Sequence, residues 1–231
     1  MNTNQSIKEA RTGILLVNLG TPDSPSVPDV RKYLREFLMD PRVIDIPFLS
    51  RFLLVNLIIA PFRAPKSAKV YREVWEERGS PLKFYGQDVA QMLQESLGDE
   101  YLVSLGMRYQ SPSTQVALDA FKGKGLEKII VVPLFPQYAS ATTGSVIEKV
   151  MKIVDGWQII PEMVFISRFY DHPRFVDALQ EIARKYLQKE TYDHYVFSYH
   201  GLPERQIIKG DDSGTCLKAA RAKPELAGEV L

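Results

Sequence analysis

A histidine follows an apolar segment of strand length in the last part of the chain. Residues 195–199 favour a strand, and His200 comes directly after them, before the turn-forming Gly201 and Pro203. Functional groups of α/β proteins are often found directly after a strand. A neutral imidazole can bind a divalent metal, accept a proton or cap a loop by hydrogen bonding, so the spacing alone leaves these roles open.

A second polar segment follows the apolar residues 128–132. Gln137 and Tyr138 come first, and Thr142 and Thr143 stand where a helix is predicted to begin. Hydroxyl groups and the unpaired N–H groups of a helix start bind anions such as carboxylates. Simple N-capping uses the same residue types and is the commoner reason for their presence.

Arg108 and Tyr109 leave another predicted strand together. An arginine can hold a carboxylate through two parallel hydrogen bonds. Taken alone, an arginine at such a place is more often paired with solvent or with a neighbouring acid. The pair is therefore a candidate binding site only in combination with the other two segments.

Short apolar segments alternate with helical patterns along the chain. Strands are predicted over residues 13–19, 101–107, 128–132, 157–166 and 195–199. Helices are predicted over about 30–38, 48–60, 66–77, 81–97, 113–121, 142–154 and 173–187, with a short broken helix and no strand in 209–231. This order predicts an α/β fold, a parallel sheet flanked by helices, with sites at the carboxyl ends of the strands.

The composition excludes several classes of protein. With 231 residues and a formal charge of +1, the chain has no basic stripe for nucleic acid. One cysteine, Cys216, cannot hold an iron–sulfur cluster. The polar N-terminus resembles neither a signal nor a transit peptide, which predicts a cytoplasmic protein.

The apolar residues 48–60 are interrupted by Arg51 and Asn56, and Pro61 is expected to end them short of the ~20 residues that span a bilayer.

Taken together, the chain resembles the ferrochelatases, which insert ferrous iron into porphyrins. The three polar segments recur in that family in the same order and approximate spacing, together with four further segments: residues 18–22, 63–66, 79–82 and 168–173. The resemblance covers roughly residues 13–209. A nucleotide-binding Rossmann domain is disfavoured, because Gly20-Thr21-Pro22-Asp23 follows the first strand where a G-x-G-x-x-G would be needed.

The resemblance implies two Rossmann-like (chelatase-like) halves. Residues 1–155 form the first half, with a lip over the porphyrin cleft at about 48–62, and residues 156–231 begin a second half that is incomplete. His200 is implied as the catalytic residue and as a metal ligand, with His172 a second-rank ligand. The residues implied in porphyrin binding are Leu19, Arg63, Lys66, Tyr71, Ser80, Arg108, Tyr109, Gln137, Tyr138, Thr142 and Thr143. Fe²⁺ and a porphyrin, protoporphyrin IX or coproporphyrin, are the implied substrates, with no permanently bound cofactor.

The family's second half also carries a carboxylate that faces the histidine, and no residue here matches it, which indicates a chain without the C-terminal part. One alternative is therefore a truncated, non-catalytic module that binds porphyrin or metal. Another is a chelatase for a different divalent metal such as cobalt or nickel, because imidazole does not select iron. The segment 48–62 remains open as a peripheral membrane contact.

Overall fold

A four-stranded, fully parallel sheet organises the first part of the protein, in a computed structural model that describes residues 11–218. The strand order is β2-β1-β3-β4. Its strands are β1 (Thr12–Gly20), β2 (Tyr101–Tyr109), β3 (Lys128–Pro133) and β4 (Glu162–Phe165). The helices are α1 (Val27–Leu38), α2 (Phe48–Leu53), α3 (Ala60–Glu73), α4 (Pro81–Leu97), α5 (Thr114–Asp119), α6 (Ser145–Val154), α7 (Pro173–Leu187) and α8 (Glu204–Lys209). The predicted α/β fold with a parallel sheet is thus confirmed.

Helices cover both faces of this sheet. Leu15 and Val17 of β1 join a core that includes Leu118 near the end of α5 and Val150 of α6. The intervening Leu16 is also buried. A strand whose successive side chains are all buried is typical of the centre of a parallel sheet, and it explains why residues 13–19 form a continuous apolar run.

The strand after α6 is shorter than predicted. Residues 157–166 favour a strand, but β4 spans only Glu162–Phe165 and pairs with β3 from Lys128↔Glu162 onward. Pro161 has no N–H to donate to a neighbouring strand, so the ladder begins after it.

The helical segment that begins at Phe48 continues past Pro61, where it was expected to end. α2 continues through a π-helical stretch, Leu54–Ile59, into α3, so the whole segment Phe48–Glu73 is 26 residues long. The expectation was wrong because Pro61 stands in the first turn of α3, where a missing N–H costs least, and the wider π-helical turns precede it.

By length and composition the segment Phe48–Glu73 could cross a membrane, which also corrects the expectation that it is too short. Helices in the cores of water-soluble proteins meet the same criteria. The feature that distinguishes this segment is its outer face, where large apolar side chains are between 45% and 73% exposed. They are Phe48, Leu49, Phe52, Leu53, Leu57, Ile58 and Phe62.

Arg51 does not interrupt this apolar face. Its side chain is buried, and its Nη1 donates to the carbonyl oxygens of Ile44 and Ile46 at 3.1 and 2.9 Å. The charge therefore anchors the loop before α2 instead of facing solvent.

The second compact unit begins at Asp171, and the first ends at Tyr170. The second unit contains α7, which matches the predicted helix, and α8. The boundary expected at 155/156 remains a prediction. The part of 209–231 that lies beyond residue 218 falls outside the described residues.

The strand predicted over residues 195–199 is not formed. The backbone there has no regular secondary structure, and Val196 and Phe197 are 86% and 80% exposed. His200 therefore does not follow a strand, and that expectation is corrected. A strand requires a partner for its backbone N–H and C=O groups, and within residues 11–218 no strand pairs with this apolar segment.

Candidate functional site

The carboxyl ends of β1, β2 and β3 lie side by side at one end of the sheet, here called the carboxyl edge. Gly20 of β1 lies opposite Tyr109 of β2, and Val17 lies opposite Pro133 of β3. β2, the strand that follows β1 along the chain, lies on one side of β1, and β3 lies on the other side. The direction in which strands are added to the sheet therefore reverses between β1 and β3. Ligands of open α/β sheets bind in the crevice beside such a point.

Gly20 permits the loop after β1 to pass close to β2. Its φ is +110°, and a Cβ at this position would lie 2.0 Å from the carbonyl oxygen of Tyr109. No other residue type fits such an approach. Thr21, directly after it, is buried, and its hydroxyl has no hydrogen-bond partner among the residues that the structure describes.

A buried carboxylate, that of Asp40, ties several elements together at this edge. Its Oδ2 accepts hydrogen bonds from Arg108 Nη2 at 2.6 Å, from the Tyr109 hydroxyl at 2.8 Å and from the Ser145 hydroxyl at 2.5 Å. Its Oδ1 accepts from the backbone N–H of Arg42 at 2.7 Å. One side chain from the loop after α1 thus joins the end of β2 to the start of α6.

Sequence reasoning missed Asp40. It stands between the end of an apolar helix and Pro41, where an aspartate in an ordinary turn is expected. Only the distance in sequence to its partners, 68 residues to Arg108 and 105 to Ser145, reveals its role, and no periodic pattern encodes such contacts.

Arg42 makes a second connection between the same loop and α6. Its Nε donates to Glu148 Oε2, and its Nη1 donates to the Ser140 hydroxyl at 3.0 Å. Lys152 and Arg42, in that order of effect, lower the pKa of Glu148 through hydrogen bonds to its carboxylate. A surface depression of about 360 Å³ lies beside this connection, lined by Arg42, Tyr138, Gly144, Ile147, Glu148, Met151 and Lys152.

The polar segment after β3 begins its helix with a π-helical turn, Ser140–Gly144, followed by α6. Gln137 and Tyr138 are exposed. Thr142 donates its hydroxyl to the carbonyl of Ala139 at 3.3 Å. Thr143 is fully buried, and its hydroxyl has no partner within the described part of the chain.

Arg108 and Tyr109 are the last two residues of β2, which extends beyond the predicted strand 101–107, and both make internal contacts. Tyr109 is fully buried, and the guanidinium carbon of Arg108 lies 4.4 Å from the centre of its ring. The side chain of Arg108 keeps 15% of its surface exposed. Leu19 lies between Asn18, which pairs with Met107, and Gly20, which pairs with Tyr109, so it adjoins this pair.

Arg63 and Lys66 lie three residues apart on α3 and are both exposed. Residues at this spacing share one side of a helix. Neither cation has an ion-pair partner in the structure of residues 11–218. Ser80 is buried at the start of α4, and its side chain makes no capping hydrogen bond.

An aromatic cluster connects α1, α3 and β2 beneath these residues. Tyr33 lies edge-on to Tyr71, with ring centres 6.2 Å apart, and Phe37 lies edge-on to Tyr109 at 5.2 Å. Burial raises the pKa of Tyr33, Tyr71 and Tyr109 above the ordinary value of 10.0. These hydroxyls therefore stay protonated at alkaline pH values at which a tyrosine of ordinary pKa begins to ionise.

The two candidate metal ligands belong to the second unit. His200 and His172 are both exposed, and His172 stands at the N-cap of α7 without a side-chain capping bond. No cluster of three or more histidine, cysteine, aspartate or glutamate side chains with metal-binding geometry occurs in residues 11–218.

A second depression, of about 370 Å³, lies away from these residues, where β3 begins. It is lined by Phe121, Lys122, Gly123, Gly125, Leu126, Ile129, Gly156, Trp157, Gln158, Ile159 and Pro161. None of the candidate site residues lines it. The chemistry of the carboxyl edge, where cations and hydroxyls accompany an exposed apolar helix, suits a ligand with an apolar body and anionic substituents.

The comparisons with known proteins agree on one family. The family model for ferrochelatase matches residues 11–223. A ferrochelatase of Coxiella burnetii (strain RSA 493 / Nine Mile phase I) is 45% identical over 199 residues, 86% of this chain and 55% of the relative. A ferrochelatase of Legionella pneumophila (strain Paris) is 47% identical over 206 residues, 89% of this chain and 61% of the relative. The chain therefore spans well under two thirds of the length of these relatives.

The buried tyrosines are expected to make the free energy of unfolding fall as the pH rises above about 10. A group whose pKa is raised by folding contributes stability below its unfolded pKa, about 10 for tyrosine, and that stability is lost as the pH rises. We expect Tyr109→Phe to reduce the decline of the unfolding free energy above pH 10 by up to about 1.4 kcal/mol per pH unit. Urea denaturation of both proteins between pH 8 and pH 11 measures how the free energy of unfolding changes with pH.

The control for this experiment is Tyr138→Phe, which removes an exposed hydroxyl. It shows how much of any change follows from the loss of a tyrosine hydroxyl as such. Equal declines for Tyr109→Phe and the unmodified protein would contradict the assignment of alkaline sensitivity to the buried hydroxyl.

Proposed function

Because the chain belongs to the ferrochelatase family, we propose that it inserts ferrous iron into a porphyrin, a step of haem biosynthesis. The observation that carries the proposal is the match of the family model over residues 11–223, which include every candidate site residue. The reaction exchanges two pyrrole N–H protons for one Fe²⁺, which must shed its water ligands. Both Fe²⁺ and the porphyrin are substrates.

The carboxyl edge has the chemistry that a porphyrin requires. A porphyrin is a flat apolar ring with carboxylate side chains. Apolar residues on the outer face of Phe48–Phe62 offer the ring an unhydrated surface, and the exposed cations Arg63 and Lys66 continue from it along the same helical segment. Apolar walls with a few placed polar groups are typical of small-molecule sites.

We assign the proton-accepting or iron-binding role to His200. A neutral imidazole can perform either task at neutral pH. General acid–base assistance of this kind typically contributes a factor of 10²–10⁴ to a rate. His172 is the second-rank candidate for contact with the incoming metal.

A second candidate function is porphyrin binding without insertion. It is favoured by the irregular, exposed backbone of residues 195–199, which leaves His200 without the rigid support that a strand would supply. The two functions share the carboxyl edge of the sheet, and they differ in whether His200 contributes.

The exposed apolar face of Phe48–Phe62 also supports a peripheral contact with a membrane surface, from which an apolar porphyrin could be delivered. Side chains buried at the headgroup boundary bind in proportion to their apolar area. The protein is proposed to work at the cytoplasmic side of such a surface, without a permanently bound cofactor.

Reversal of charge at Arg63 tests the porphyrin-binding edge. We expect Arg63→Glu to weaken binding of a dicarboxylic porphyrin at least tenfold, because a cation that attracts a carboxylate becomes an anion that repels it. Titration followed by Soret absorbance measures the affinity. Arg72→Glu is the matched control, since Arg72 is exposed on the opposite side of α3 and should change the affinity less than twofold. Equal affinities for Arg63→Glu and the control would refute the assignment of Arg63.

Anaerobic formation of metalloporphyrin separates insertion from binding. The 231-residue chain and a version continued with the C-terminal part of the Legionella pneumophila relative are compared, each with His200→Ala and with the control His194→Ala. We expect both lengths to bind porphyrin and to insert Fe²⁺, the 231-residue chain more slowly than the continued version. His200→Ala should slow the continued version 10²–10⁴-fold. No turnover by either length, or an unaffected His200→Ala in the continued version, would contradict the insertion role, and binding without turnover by the 231-residue chain alone would favour the second candidate for it.

A further inference from the structure

We propose that Asp40 is a positioning residue that orients Arg108 to bind a carboxylate of the porphyrin. The inference rests on the proposed function and assigns a role to a residue that no sequence pattern singled out. Asp40 does not touch the substrate in this proposal. It acts through the guanidinium of Arg108.

The contacts of Arg108 leave one side of its guanidinium available. Nη2 donates to Asp40 Oδ2 at 2.6 Å, and Nε donates to the hydroxyl and carbonyl oxygens of Ser145 at 2.6 and 3.2 Å. Nη1 has no hydrogen-bond partner among residues 11–218. The ring of Tyr109 lies against the guanidinium, and Tyr109 itself donates to Asp40, so the group is held on several sides. A guanidinium fixed in this way loses little freedom when it binds a planar carboxylate.

The Asp40–Arg108 pair would orient a bound carboxylate and would not attract anions from a distance. Asp40 neutralises Arg108, so the pair does not gather anions at long range. Its remaining N–H donors can still form short, directed hydrogen bonds to a carboxylate, which are stronger than neutral ones. The exposed Arg63 and Lys66 would attract the anion, and Arg108 would fix its position.

The loop that carries Asp40 has an independent support. Arg42 binds Ser140 and Glu148, and the carbonyl of Asp40 accepts the backbone N–H groups of Val43 and Ile44 at 3.0 Å. Loss of the Asp40 charge therefore leaves the loop attached to α6. In Asp40→Asn the hydroxyls of Tyr109 and Ser145 can reverse direction and donate or accept as needed, whereas the cationic Arg108 can only donate and loses its charged acceptor.

Two forms of one porphyrin provide a readout that a purely structural role would not change. Binding of the dicarboxylic porphyrin and of its dimethyl ester, in the same detergent, is measured by Soret titration for the unmodified chain and for Asp40→Asn. We expect Asp40→Asn to weaken binding of the free acid at least tenfold and binding of the ester less than twofold. Asp119→Asn, which removes the acid of an exposed ion pair with Lys122, should change neither affinity. Equal loss for acid and ester in Asp40→Asn would overturn the inference.

A double variant tests the inference even if Asp40→Asn alone fails to fold. Asp40→Asn combined with Arg108→Gln removes both charges and leaves no buried cation unpaired. Because Asp40 acts through Arg108, the double variant should bind the free acid within twofold of Arg108→Gln alone. A further loss in the double variant would overturn the inference. If the unmodified chain binds neither form, the proposed function fails, and this inference fails with it.

Discussion

The carboxylate of Asp40 is the interaction on which the candidate site depends. It is almost completely removed from solvent, and it joins the loop after α1, the end of β2 and the start of α6. Burial of an unpaired charge is costly, so a carboxylate and a guanidinium at this depth each require the other. The pair thereby fixes where the hydroxyl-rich turn Ser140–Gly144 lies relative to the end of β2.

The sheet and its coverage by helices could be predicted from the sequence because they depend on local patterns. Continuous apolar runs identify β1 and β3, and amphipathic spacing identifies α1 and α4. The carboxyl edge as the place of the site follows from the same alternation, since parallel strands end together. Thr142 and Arg108 could be named as candidates from the sequence because one lies near the predicted start of a helix and the other directly after a predicted strand.

Other features depend on tertiary contacts that no local pattern encodes. Asp40 meets partners far away in sequence, and Arg51 turns inward to loop carbonyls although an arginine in an apolar run suggests an interruption. Pro61 fails to end its helix because π-helical turns precede it. Residues 195–199 have the composition of a strand, but no strand among residues 11–218 lies beside them. A high β propensity favours a strand only where a sheet is present for it to join.

The location of porphyrin binding tests the central claim most directly. Hydrogen–deuterium exchange of the 231-residue chain, with and without a dicarboxylic porphyrin, reports which backbone amides the ligand protects. The account predicts slower exchange in residues 18–22, 106–110 and 137–145, at the carboxyl edge, and unchanged exchange in residues 121–126 and 157–161. Protection confined to the latter segments, which line the depression where β3 begins, would contradict it.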